Sequence, residues 1–257
     1  GTFDPNNPDI RFRRSDVDST STTEGVTNDP SEAVNRLNES LRRAGETADT
    51  RSAVLESLTG GKRQAADFAN AIAKQFGVEI NWVTSSVFDG VHHNGNIFVN
   101  VNSSAPYHVV MGHELVHTLK RTDPDLYAEL EALIMPEATK TKESAEFHQY
   151  GEGTMNANEE YVADVVGNRF GEKQFWQDMA AAEPNLFRRI ATVVRSLLER
   201  VASQFRGDRT KYGDAVRDLN KVRVGISEVM IEYRKRQAKM DKQEFAGKYE
   251  PQFSMSK

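Results

Sequence analysis

The chain has 257 residues, a formal net charge of −5, 28 % charged and 38 % hydrophobic residues, and no cysteine. That length can bury one good core with enough left for a helical appendage, and no apolar run approaches the roughly 18 residues that a membrane span needs. Without cysteine, disulfides and thiolate metal sites are excluded, and His, Asp and Glu are left as the strong ligands.

The charge is uneven. Arg188 to Lys242 hold 15 Lys/Arg against 7 Asp/Glu, so a basic end of +8 is joined to a body of −13. Such an end could meet nucleic acid or another anionic surface through 188–242, although Lys and Arg also populate the solvated face of ordinary long helices. Position 1 is Gly and no basic-then-apolar leader follows it. A processed or excised piece, cytoplasmic or virion-associated, is therefore expected.

Residues 1–30 are rich in Asp, Asn, Ser, Thr and Pro, lack apolar periodicity, and read as a disordered lead-in. Ser31 is expected to cap a short helix with Val34, Leu37 and Leu41 on one face. A second short helix is expected to carry Val54, Leu55 and Leu58 before Gly60 and Gly61. Next, Ala65, Phe68, Ala69, Ile72, Ala73 and Phe76 recur at helical spacing, with Gly77 placed for a left-handed C-terminal cap. The pattern then turns to β. The run "VEINWV" (78–83) is a strand candidate, and Asn94-Gly95 favours a type I′ hairpin between residues near 91 and 101. Ile97, Val99 and Val101 give that hairpin one apolar face, while His92 and His93 alternate faces and read as surface residues.

A helix over 105–121 follows, then one opened by Asp123 and Pro124 with Leu126, Leu130, Leu133 and Ile134 as its apolar set. Residues 136–155 read as a long loop with some helix. Regular helix is expected over 157–170, and a short one around Phe175, Trp176 and Met179. Two long helices come last. The first runs from Pro184 to about Phe205; the second spans roughly 213–241, where Ala215, Leu219, Val222, Ile226, Val229 and Tyr233 make a heptad seam. An antiparallel hairpin over 183–242 is the economical arrangement, with self-association through the 215–233 seam as its competitor. Residues 243–257 read as a flexible tail.

The chemistry-bearing stretch is "VVMGHELVHTLK", 109–120. A helix turns about 100° per residue, so His113 and His117 project from one face a turn apart, close enough to share a tetrahedral ion. Glu114 lies beside them, where it can hydrogen-bond a water and serve as general base. A third ligand is offered by "NANEEYVADVVGN": Glu160 and Asp164 are four apart on the next predicted helix, so one carboxylate can bind a metal while the other fixes a histidine tautomer. Glu159 is the rival of Glu160, since a one-residue error in helix phase exchanges them.

His113-Glu114-x-x-His117 followed by Glu160-x-x-x-Asp164 resembles the gluzincin metallopeptidases, the thermolysin-like class. The resemblance covers roughly 78–170. It implies an α+β zincin-like domain over 31–182 with a small antiparallel or mixed sheet, one zinc ion held by His113, His117 and Glu160, Glu114 as base, and Asp164 behind a ligating histidine. It also implies that residues 96–101, before the active-site helix, form an edge strand on which a peptide substrate is aligned. The 43 residues from His117 to Glu160 exceed the family's short spacing, so 136–155 is an insertion. In the related metzincin pattern Gly would stand at 120 and a ligand at 123; Lys120 breaks it, and Asp123 is read as a helix cap. His148 is a rival third ligand. For the oxyanion, Tyr150, Tyr161, His148 and His108 are candidates, with Tyr150 preferred because a loop residue before Glu160 can reach over the metal.

The string "NPDIRFRRSD" (7–16) resembles the joints of large polyvalent proteins of phages and mobile elements, and Phe12-Arg-Arg-Ser15 has a counterpart in Phe253-Ser-Met-Ser256. Together these expectations describe a zinc endopeptidase that processes a phage or mobile-element polyprotein or cleaves a host protein. A zincin-fold binding module, or a virion structural module working through the basic C-terminal helices, stays open as the alternative.

Overall fold

The computed structural model describes residues 29–46, 49–138 and 157–248. They form an α+β fold, mostly helical, with one small mixed sheet. Helix α1 (Pro30–Arg43) begins with Asp29 as its cap rather than Ser31: the Asp29 carboxylate accepts the Ser31 N–H at 2.9 Å, and Pro30 takes a first-turn position where no N–H is needed. The short helix expected from Val54 to Leu58 is instead strand β1 (Arg51–Ser52) and a single 3₁₀ turn, Leu55–Ser57. So short a segment before a glycine pair cannot nucleate an α-helix. Helix α2 (Gly60–Phe76) ends as expected on Gly77, whose φ of 73° lies in the left-handed region.

Strands β2 (Ile80–Thr84), β3 (Gly90–His93) and β4 (Asn96–Asn100) join β1 in the order β1-β2-β4-β3. Asn94 and Gly95, both at positive φ, make the expected two-residue turn. Strand β4 runs parallel to β2 and antiparallel to β3. It is therefore an interior strand, which corrects the edge position expected for 96–101. Its alternation is hidden as well: α1 packs over Val83, Val91 and Phe98, while α2 and α3 pack over Ile97 and Val99, so both faces are covered.

The rest is helical: α3 (Pro106–Thr122), α4 (Pro124–Ala138), α5 (157–169), α6 (Lys173–Ala182), α7 (Pro184–Gln204) and α8 (Arg209–Lys248). Asp123 caps α4, accepting the Leu126 N–H at 3.0 Å. A 3₁₀ turn, Arg206–Asp208, joins α7 to α8, and the two pack together. The seam residues Ala215, Leu219, Val222, Ile226 and Val229 are buried in the chain's own core. That face is occupied within the chain, which removes the surface on which self-association through 215–233 was expected. The lead-in 1–28, residues 139–155 of the insertion and residues 249–257 of the tail lie outside the described residues, while 243–248, expected in the tail, continue helix α8. No helix among the described residues is long and apolar enough to cross a membrane.

Two contacts fix α5 against its neighbours. Along the outer edge of β3, Asn168 accepts the Gly90 N–H at 3.0 Å and donates to the Gly90 carbonyl at 2.9 Å, and Asp164 accepts the His92 N–H at 3.1 and 3.0 Å. On its other side α5 meets α3 backbone to backbone. A Cβ on Gly112 would stand 2.7 Å from Gly167 Cα and from the Val166 carbonyl oxygen, and one on Gly167 would stand 2.7 Å from the Val109 carbonyl oxygen. Nothing larger than hydrogen fits at either position.

Glycine inside a helix ordinarily costs up to about 1 kcal/mol relative to alanine, so alanine at an unconstrained helical glycine stabilises. Here the opposite is expected. Gly112→Ala and Gly167→Ala should each lower the unfolding free energy by about 1–3 kcal/mol, the usual result of forcing atoms into a filled contact. Urea denaturation reads this directly, and a raised midpoint for either variant would contradict the crossing.

Candidate metal centre

The α3–α5 crossing brings four side chains face to face. His113 and His117 lie one turn apart on α3, and Glu160 and Asp164 one turn apart on α5. His113 Nε2 and His117 Nε2 are 2.9 Å apart, and Glu160 Oε2 lies 3.5 Å from each. Among the described residues, His113, His117 and Glu160 are the group able to hold a metal ion.

The far nitrogen of each imidazole decides what the near one presents. Asp164 Oδ1 is 3.1 Å from His113 Nδ1, and Glu159 Oε1 is 2.8 Å from His117 Nδ1. An ionised carboxylate only accepts, so each Nδ1 carries hydrogen, and each Nε2, once free of a proton, turns a lone pair to the centre. Glu160 Oε2 brings a further lone pair; it is buried and receives no well-aligned hydrogen bond. Lone pairs that converge in a buried space repel one another unless a cation lies among them.

The electrostatics agree. Burial opposes charge on Glu160, but the neighbouring His92, His117 and His113 outweigh it and hold the carboxyl well below its ordinary range. Burial also opposes a charged His117, yet the carboxylates of Glu159 and Glu160 raise that imidazole to about 10. Glu159 is held low against its own burial by His117 and Lys120. A proton on His117 and a metal ion are thus rivals for one lone pair.

Glu114, beside His113 on α3, is 7 % exposed. Glu159, the rival third ligand, sits outside the triangle and pairs with His117 and Lys120. His108 instead engages Asp218 of α8 at 3.0 Å, and Tyr161 is buried in the main core. Tyr150 and His148 lie outside the described residues.

His92 and His93 overturn the surface reading. Because helices cover both faces of β3, both are buried. His92 Nδ1 is 3.0 Å from Glu160 Oε2, and its ring centroid is 5.4 Å from that of His113. His93 Nε2 is 2.8 Å from Ser40 Oγ and ties the hairpin to α1. The signal for His92 was in the turn. A two-residue loop makes His93 and Asn96 the closing pair, so the N–H of His92 points away from β4 and toward whatever borders that edge.

Comparison with known proteins found no matching family model, no matching characterised protein and no matching solved structure.

Because the proton on His117 must leave before a metal can bind, affinity for a divalent probe such as cobalt(II) should rise with pH, by about tenfold per unit from pH 7 to 9. Glu160→Ala should abolish tight binding. Glu159→Gln and Asp164→Asn, which disturb the imidazoles from behind, should weaken it about 10–100-fold. Chelator competition measures all four effects, and an affinity indifferent to pH would contradict the assignment of His117.

Proposed function

We propose that the chain is a zinc-dependent peptidase in which His113, His117 and Glu160 hold the ion and Glu114 is the general base. The observation that carries this reading is the convergence of His113 Nε2, His117 Nε2 and Glu160 Oε2 on one buried point beside Glu114. Two imidazoles and one carboxylate, with no sulfur, suit zinc among the divalent ions. Donors about 2.0–2.1 Å from a tetrahedral ion stand roughly 3.3 Å from one another, between the 2.9 and 3.5 Å separations found. The likeness of the motif pair to the gluzincins adds support. In this reading His113 and His117 come from the active-site helix, Glu160 from the helix behind it, and Asp164 and Glu159 buttress the histidines.

When bound, zinc would supply the Lewis acidity that acidifies a water and polarises a peptide carbonyl. The chain's own residues do the rest. Glu114 takes the proton from the attacking water and passes it to the departing amide nitrogen. Its burial keeps bulk water from competing for that proton. Asp164 and Glu159 hold both ligating imidazoles in the tautomer that presents Nε2. Of the cluster, the His117 side chain is the most open, at 28 %, against 2 % for His113 and 10 % for Glu160, so substrate approaches from the His117 side.

Alignment of the peptide differs from the family expectation. The edge of β3 is closed by Asp164 and Asn168 of α5 at Gly90 and His92, so a peptide cannot add there as a strand. Tyr150 remains the candidate oxyanion donor, and the Phe-x-x-Ser strings at 12–15 and 253–256 are the candidate cut sites of a phage or mobile-element polyprotein.

Glu114→Gln keeps size and hydrogen bonding but cannot accept a proton. The variant should fold, hold zinc like wild type, and lose about 10²–10⁴-fold in cleavage rate. The measurement is cleavage of a diverse peptide library, run on the full chain and on one starting at Pro30. Equal cleavage by Glu114→Gln and wild type would remove the base from the mechanism.

A further inference from the structure

Helix α8 is 40 residues long, about 60 Å, and it is packed on the body from Tyr212 to Val229. Among its described side chains the last buried one is Val229; from Ile231 to Met240 none is buried, and the helix continues to Lys248. Where α8 lies on the body its cations are engaged: Arg217 with Asp214, Lys221 with Asp218 at 3.7 Å, and Arg223 with Glu199 at 2.9 Å. Past the body the pattern changes. Arg234, Lys235, Arg236 and Lys239 are exposed and form no ion pair among the described residues, while Glu232, two residues before Arg234, faces Lys173 at 3.8 Å.

We propose that this projecting end of α8 binds duplex DNA without sequence preference, laying Arg234, Lys235, Arg236 and Lys239 against the phosphates that border the major groove. Charge and shape select this partner. Successive residues advance about 100°, so these four cations fan over about 200° of the helix surface. A membrane-surface helix needs one continuous apolar face, and between positions 231 and 240 the exposed large apolar side chains are Ile231 and Met240. Cations fanned over more than half of a rod instead suit a partner with charged walls on both of its sides. A helix with side chains is about 10–12 Å across, and the major groove of B-DNA is about 12 Å wide with phosphates on both walls. The deep, narrow major groove of A-form RNA does not admit it. The acidic remainder of the chain, of opposite sign to DNA's requirement, keeps the contact confined to this end.

The test uses the full chain, a mixed-sequence 20-base-pair duplex and fluorescence anisotropy between 50 and 200 mM salt. Wild type should bind, with log K falling steeply against log salt. The variant carrying glutamine at 234, 235, 236 and 239 should bind more than tenfold more weakly at low salt. Its slope should be shallower by about 2–4, near 0.9 for each phosphate that is no longer neutralised. Glutamine is a good helix former, so the helix is kept. Arg234→Lys with Arg236→Lys, which preserves charge, should keep the wild-type slope. Absence of wild-type binding at 50 mM salt, an unchanged slope in the glutamine variant, or a preference for phosphatidylserine vesicles over duplex would each overturn the proposal. So would salt-sensitive self-association without DNA binding, which would show the acidic body of a second copy to be the partner. None of these outcomes depends on whether the metal centre cleaves peptides.

Discussion

Two helices can bring their side chains to a common point only if their backbones come close, and here that closeness rests on Gly112 and Gly167. With a hydrogen in place of each Cβ, the Val166 carbonyl and the Gly167 backbone lie where the Gly112 side chain would be. Gly112 is adjacent to His113, and Gly167 follows Asp164 by three residues. The crossing therefore acts at the root of both ligand-bearing faces. A shift of one ångström there separates Glu160 from the imidazoles by a comparable amount, more than the spread of a metal coordination shell tolerates. The β3 edge supports the same geometry from the side, because Asp164 grips the His92 N–H while it orients His113.

Once the helices are locked, the site's electrostatics leave little choice. The carboxylates Glu159 and Asp164 behind the imidazoles and the carboxylate Glu160 in front make a pocket that favours a cation. In a metal-free chain a proton on His117 fills that role, and its raised pKa expresses the same field that would draw a metal. Binding and protonation are two readings of one arrangement. This is also why Glu159 matters although it does not face the centre: it sets the tautomer and the charge of His117 together.

Much of the site was legible because its information is local. His113, Glu114 and His117 are related by helical spacing alone, and so are Glu160 and Asp164, which is why the group of His113, His117 and Glu160 expected from spacing is the one assembled in three dimensions. What the pattern could not carry was coverage. The alternation of His92 and His93 was visible, but that α1 lies on one face of β3 and α3 on the other depends on packing between distant segments. The interior place of β4 has the same cause: strand order is a long-range property, and the parallel pairing of β2 with β4 leaves no local trace. Gly112 was legible in principle, since a glycine in mid-helix needs a reason. Gly167 supplies it, 55 residues away in sequence. Along α8 the heptad pattern was real, but periodicity cannot tell a partner in the same chain from one outside it, and the buried seam answers for the first.

Whether the crossing of α3 and α5 builds a metal site from two imidazoles and one carboxylate is read by X-ray absorption at the zinc edge on protein loaded with one equivalent of zinc. A shell of light atoms about 2.0–2.2 Å from the ion is expected, with the outer-shell scattering of two imidazole rings, reduced to one in His117→Ala. A spectrum without imidazole scattering, or one identical in wild type and His117→Ala, would contradict it.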